Sequence, residues 1–190
     1  MTRSFTDVDI SGALVDDLLR SARLAPRAGN THAIEFLVLE NEQVKDYWET
    51  TFEESTKSGF PWPNLFNAPV LILVWVDPQK YALRYEEEDK RESGLGSGIS
   101  AWGTPYWWVD GGMAAMTILL GAEASGLGAL FFGLFGHEDN VKNRFGVPET
   151  FKSVGAIALG VASSEQRKST STKRKQKKLD DVVHRGRWTT

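Results

Sequence analysis

The sequence contains no cysteine. That excludes disulfides, thiolate nucleophiles, sulfur-bound zinc and cysteine-ligated iron–sulfur clusters. Histidine is scarce, and His32, His137 and His184 stand too far apart for a metal-ligand spacing. No apolar run approaches the roughly 20 residues needed to span a bilayer. Met1–Asp9 carries no apolar stretch of the kind a secretion signal uses. The expectation is a cytoplasmic protein without a membrane contact. Nucleotide and hydrolase signatures are missing too. Gly94-Leu-Gly-Ser-Gly98 has neither a strand before it nor the full dinucleotide-binding spacing, and Lys168-Ser169 lacks the upstream glycines of a phosphate loop. There is no Gly-x-Ser-x-Gly. The acidic run Glu86–Asp89 has no alternating oxygen-ligand pattern and reads as a solvated helix face.

What is present is an ordinary globular composition on a chain of 190 residues, a length that suits a single domain over 1–190. The net charge of −3 conceals an asymmetry. Within a basic segment at 165–178, residues 167–178 hold seven of the 22 lysines and arginines and no acid, so the remainder of the chain is strongly acidic. Such a run is either a solvated loop, a site for a phosphate, or a nucleic-acid contact. The last is disfavoured, because no aromatic residue interleaves the run and the acidic body repels a polyanion.

Periodicity sketches the elements. Leu14, Val15, Leu18, Leu19 and Ala22 mark one face of a helix over 11–24, ended by Pro26. Residues 33–39 read as a strand and 41–55 as a helix. A turn-rich stretch leads to 70–76, continuously apolar and suited to a strand buried on both faces. Residues 78–91 suit a polar helix, 93–105 a glycine-rich loop, and 106–125 an apolar helix with small residues. Then come a strand at 129–135, a short helix at 137–145, a strand at 154–161 and a terminal extension at 179–190. This is an α+β pattern with a central sheet of four to five strands. Trp102, Trp107 and Trp108 fall in or beside the loop. They are either packing residues or an aromatic wall over a planar ligand, in which case 93–108 is a lid.

Four segments in order resemble the nitroreductase family of FMN enzymes. They are Thr2-Arg3-Ser4-Phe5, Ala25-Pro26-Arg27-Ala28-Gly29-Asn30-Thr31-His32, Gly126-Leu127-Gly128-Ala129 with Leu130–Phe135, and Phe145-Gly-Val-Pro148 with Val154–Gly160 and the basic run. Arg27 stands where the family has serine and His32 where it has glutamine, which puts the usual hydrogen bonds to the flavin edge in question.

The resemblance implies a mixed sheet flanked by helices, and a homodimer whose C-terminal extensions reach across to the partner. It implies FMN bound between the chains. Arg3, Ser4, Lys173 and Arg174 would hold its phosphate. Pro26, Arg27, Ala28 and Asn30 would line the flavin edge, and the backbone N–H groups of Gly133 and Leu134 would face N5. No side-chain acid or base and no metal is called for, since the flavin carries the redox chemistry. The implied activity is ping-pong hydride transfer from NAD(P)H to a small planar acceptor such as a nitroaromatic or quinone, with Trp102 and Trp107 against the acceptor. A specialised flavin reaction (oxygen-dependent dehydrogenation, reductive dehalogenation or flavin fragmentation) and a non-catalytic FMN store or sensor are the alternatives left open.

Overall fold

A computed structural model of the chain describes residues 1–188. The last two residues of the expected extension at 179–190, and the side chain of Glu54, lie outside the described residues. The regular elements are, in order, α1 (Gly12–Ala22), β1 (Ile34–Glu40), α2 (Glu42–Thr51), the single turn α3 (Glu54–Lys57), β2 (Val70–Val76), α4 (Pro78–Glu86), α5 (Tyr106–Ala124), β3 (Gly128–Phe132), α6 (Glu138–Phe145) and β4 (Lys152–Gly160).

β2 is the centre. All seven of its residues are buried, and side chains alternate between the two faces of the sheet. Val70, Ile72 and Val74 meet Val15 and Leu18 of α1 and Ala115, Ile118 and Ala122 of α5. Leu71, Leu73 and Trp75 point the other way, into a core shared with Val44, Tyr47 and Trp48 of α2 and Val141 of α6. The result is three layers, helices over both faces of a sheet ordered β1-β2-β4-β3.

The α+β class is as expected, with the difference that every pairing among the described strands is antiparallel rather than mixed. The connections explain it. The chain leaves β1 at Glu40 and enters β2 at Val70, and these two residues are paired. The β3-to-β4 connection likewise returns to the end it left. Only the β2-to-β3 connection crosses the sheet, and the 19 residues of α5 carry it. Val154 is an extra residue in β4, where the register with β2 slips between Val74 and Trp75.

α5 lies close to the sheet because its inner face is small. A Cβ on Gly111 would come within 2.6 Å of the Val154 side chain and 3.0 Å of Val76. Its outer face is apolar as well, with Trp108, Val109, Met116 and Leu120 all exposed. Apolar residues all round a helix imply burial on both sides. No helix among the described residues is long and apolar enough to cross a membrane.

The 93–108 segment is built from short 3-10 turns, at Leu95–Ser97 and Ile99–Ala101, and then enters α5 at Tyr106. Trp102 and Trp107 are 7% and 8% exposed and pack with Ala33, Val76 and Tyr81 at the end of the sheet. The Trp102 indole N–H donates to the Leu95 carbonyl at 3.1 Å, which closes the loop on itself.

Two outcomes follow for stability. Gly111→Ala forces a methyl into Val154 and should cost about 1–3 kcal/mol of unfolding free energy. Gly12→Ala, with no neighbour inside 4 Å, should cost none, and thermal unfolding of both variants checks the contrast. Trp102→Leu and Trp107→Leu should each cost about 2–4 kcal/mol by opening space in a packed cluster. Unchanged melting of either would place that indole outside the core.

Candidate active site

The N-terminal residues form an edge beside β3 and β4. The Thr2 N–H donates to the Ala129 carbonyl at 2.9 Å, and Phe5 bridges to Ala162. This brings Arg3 and Ser4 against the start of the segment that leads to the basic run. Gln166 fixes the junction: its Oε1 accepts the Arg3 N–H at 3.2 Å and its Nε2 donates to the Ser4 carbonyl at 2.6 Å. Trp62 joins from the turn-rich stretch. Its indole N–H donates to the Arg167 carbonyl at 3.1 Å, and the Arg3 guanidinium lies over its ring at 5.4 Å.

Beside this junction is a cavity of about 680 Å³, a size suited to a cofactor-scale ligand. The residues Leu130–Phe135 form one side. Tyr47, Trp48, Phe52 and Phe60 add aromatic lining, with Arg3 and Trp62 also on the wall. Trp48 stacks on Phe132 at 5.7 Å between centroids, and its indole nitrogen is buried without a partner. Burial pushes the Tyr47 phenol above its ordinary range, so it stays neutral.

The expected strand at 129–135 ends early, at Phe132. Leu134 turns into the helical region and Phe135 has φ +49°, so the chain leaves the sheet at the cavity. Neither Gly133 nor Leu134 uses its N–H in a hydrogen bond within the described residues. Two consecutive free N–H groups on an apolar wall need an outside acceptor. A Cβ on Gly133 would meet only the Phe135 ring, at an ordinary 3.5 Å. Internal packing therefore does not demand glycine there, and a close approach from the cavity would.

The expected cofactor residues divide into four groups. Arg3, Gly133 and Leu134 line the same cavity. Ser4 is buried behind it, its hydroxyl accepting from Asn64 Nδ2 at 3.2 Å. Lys173 and Arg174 lie at the exposed turn Thr170–Lys173 and line no part of this cavity.

Pro26, Arg27, Ala28 and Asn30 sit elsewhere, before β1 and against α4 and α5. The loop they form is bordered by a separate depression of about 470 Å³, walled by Ala28, Tyr85, Leu95 and Trp102. Trp107 does not reach either concavity. Within one chain the expected residues thus lie at two separate concavities. Asp110, Trp62 and Gln166 were not legible as site residues. Asp110 did leave a signal, a carboxylate inside the most apolar helix of the chain.

The fit to FMN can be judged from these donors. The cavity offers a guanidinium for an anionic group, flat aromatic walls for a ring system, and paired N–H groups for an acceptor atom on it. These residues fit that cofactor.

Comparison with known proteins identifies the family. The model of the nitroreductase family matches residues 1–161. A protein of Archaeoglobus fulgidus with the provisional name NADH dehydrogenase/NAD(P)H nitroreductase is 24% identical over 189 residues, which cover 98% of this chain and 92% of that one. Among solved structures, a nitroreductase family protein of Streptococcus pneumoniae TIGR4 superposes with a TM-score of 0.71 at 18% identity, covering 96% of this chain and 94% of that one. An FMN-dependent nitroreductase of Clostridium difficile R20291 gives 0.67 at 18% identity, covering 98% and 94%. The family match spans the N-terminal edge, both concavities and all four strands, and on it the chain belongs to the nitroreductase family, a family of oxidoreductases.

Proposed function

We propose that the protein is an FMN-dependent oxidoreductase that takes electrons from NAD(P)H and passes them to a small planar acceptor such as a nitroaromatic or quinone. The observation that carries this reading is the pair of free N–H groups at Gly133 and Leu134 on an aromatic wall that also holds Arg3. When bound, FMN supplies the hydride chemistry at N5. The chain supplies binding and electrostatics.

In this reading Arg3 binds the phosphate end, and its guanidinium, already parked over Trp62, offers two N–H groups to the phosphate oxygens. Lys173 and Arg174 add charge from the basic segment, whose root is tied to the cavity through Arg167 and Trp62. Gly133 and Leu134 donate toward N5 and favour the charge that develops on reduction. NAD(P)H and the acceptor use one open face in turn, which is ping-pong behaviour.

A homodimer completes the arrangement. The exposed apolar stripe Val109, Met116 and Leu120 of α5 would be covered by a second copy. The loop with Pro26, Arg27, Ala28 and Asn30 would then meet the partner's cavity, and Trp102, bordering the same depression as Ala28, would stand near the acceptor. Trp107 supports that loop from within the core.

The visible spectrum of the purified protein, followed by anaerobic titration with NADH and NADPH, tests the reading. A flavin spectrum bleached by either nucleotide is expected, whereas a colourless protein that takes up no FMN overturns it. Flavin that binds but is not reduced favours the storage alternative. Arg3→Ala should weaken FMN binding by about 1.5–3 kcal/mol, the scale of a charge-assisted hydrogen bond. Arg174→Ala should weaken it by less, because Arg174 is off the cavity wall; unchanged, parent-like affinity in Arg3→Ala removes Arg3 from the site. Met116→Glu should convert the dimer to monomer in sedimentation, with loss of flavin.

A further inference from the structure

Asp110 is 1% exposed, on a largely apolar helix whose one other charged residue, Glu123, is exposed near its end. Burying a carboxylate is costly unless its oxygens find donors. Here they do so unequally. Oδ2 accepts the Ala28 backbone N–H at 2.8 Å and the Tyr81 hydroxyl at 2.8 Å. Oδ1 has no partner. Burial, together with the hydrogen bond to Asp110, pushes the Tyr81 phenol well above its ordinary range, so the phenol remains a donor.

The 29–30 peptide unit is held from the other side. Arg84 Nε donates to the Gly29 carbonyl at 2.9 Å. Its two terminal nitrogens are fixed by Asp89 at 2.7 and 2.8 Å. That pairing also holds the Asp89 carboxyl below its usual range. Gly29 itself has φ +61° and lies so close to Tyr85 that a Cβ would come within 2.6 Å of the ring. The Thr31 hydroxyl closes the turn on the Ala28 carbonyl at 2.7 Å. The 27–28 and 29–30 peptide groups of the turn are therefore held from α5 and α4, while the Arg27 side chain has no hydrogen-bonded partner among the described residues and Asn30 is exposed.

We infer that Asp110 is a positioning residue for the flavin edge: its Oδ2, locked by Tyr81, fixes the Ala28 N–H and so sets the stance of the Arg27–Asn30 loop toward the ligand. This rests on the FMN reading for what the loop meets, but the clamp itself does not. The unequal use of the two oxygens gives the inference a specific signature. Only one oxygen is employed, so an amide in place of the carboxylate keeps the acceptor and loses nothing the clamp uses. A role as a buried negative charge would need both oxygens and the charge.

Asp110→Asn and Asp110→Ala are compared with the parent in two measurements: amide hydrogen exchange at Ala28, and the rate of FMN release on dilution of the purified holoprotein, followed by flavin fluorescence. Asp110→Ala should speed both by about 10-fold or more, the scale of a buried N–H left without its acceptor. Asp110→Asn should stay within about 3-fold of the parent in both. Tyr81→Phe, which removes one donor and keeps the ring, should fall between them and serves if Asp110→Ala does not fold. Equal acceleration in the asparagine and alanine variants overturns the inference in favour of a charge role. Parent-like exchange and release in both Asp110→Ala and Tyr81→Phe overturns it in favour of packing alone. A parent that carries no flavin would count against the FMN reading, and Ala28 exchange would still decide the clamp.

Discussion

The constraint from which the rest follows is that β2 has no solvent face. Seven consecutive apolar residues, all buried, need cover on both sides, and the backbone polar groups between them need strands on both edges. β1 and β4 meet the second need. The first forces the chain to place helices on opposite faces, α1 and α5 on one, α2 and α6 on the other. With the faces spoken for, concavities can form only at the sheet's margins. The aromatic cavity lies beside β3, at one margin, and the Arg27–Asn30 loop lies before the start of β1, at the other.

α5 shows how one helix serves two masters. Its inner stripe of Gly111, Ala114, Ala115 and Ile118 lets it sit tightly on the sheet. Its outer stripe is nearly as apolar and is left exposed by a single chain. A helix with both properties cannot be amphipathic in sequence, and this is why its hydrophobic pattern has no clear face. Asp110 sits near its start, where the inner stripe passes the Ala28 turn. A polar group in such a helix is tolerated because two donors meet it at 2.8 Å.

How much was legible follows from the same physics. The β2 run and the α1 periodicity are local signals, and the structure matches them within a residue or two. The class and the family motifs were equally readable, since each motif is a short stretch with its own chemistry. Pairing direction was not, because it depends on where connections return, and that is set by helices tens of residues long. The 129–135 segment looks like strand throughout, and only the turn at Leu134–Phe135 ends it. Trp102 and Trp107 could not be sorted between wall and core from sequence, since an indole suits both. Tyr81, one of two tyrosines in a polar helix, turned out to pack against both indoles. Gln166 and Trp62 carry no signature at all, for their importance lies in contacts across more than a hundred positions of sequence.

The two partial sites are built by the same strategy with different chemistry. At the cavity, Gln166 and Trp62 tie the N-terminal edge to the root of the basic segment by hydrogen bonds and a cation–π contact. At the loop, Asp110 and Arg84 hold the 27–28 and 29–30 peptide groups, and Tyr81 holds Asp110. Neither set reaches the other within one chain. A site assembled from separate halves cannot rely on its ligand to shape each half, because ordering a loop at the moment of binding is subtracted from affinity. Fixing each half beforehand removes that cost. The faces of the sheet are almost purely apolar, while the buried Asp110, the clamped Arg84 and the engaged Gln166 stand beside the two concavities. On this view the departures at Arg27 and His32 are tolerable because the stance of the loop is set from behind by Asp110 and Arg84. The side chains on its outer side are then free to vary with the ligand.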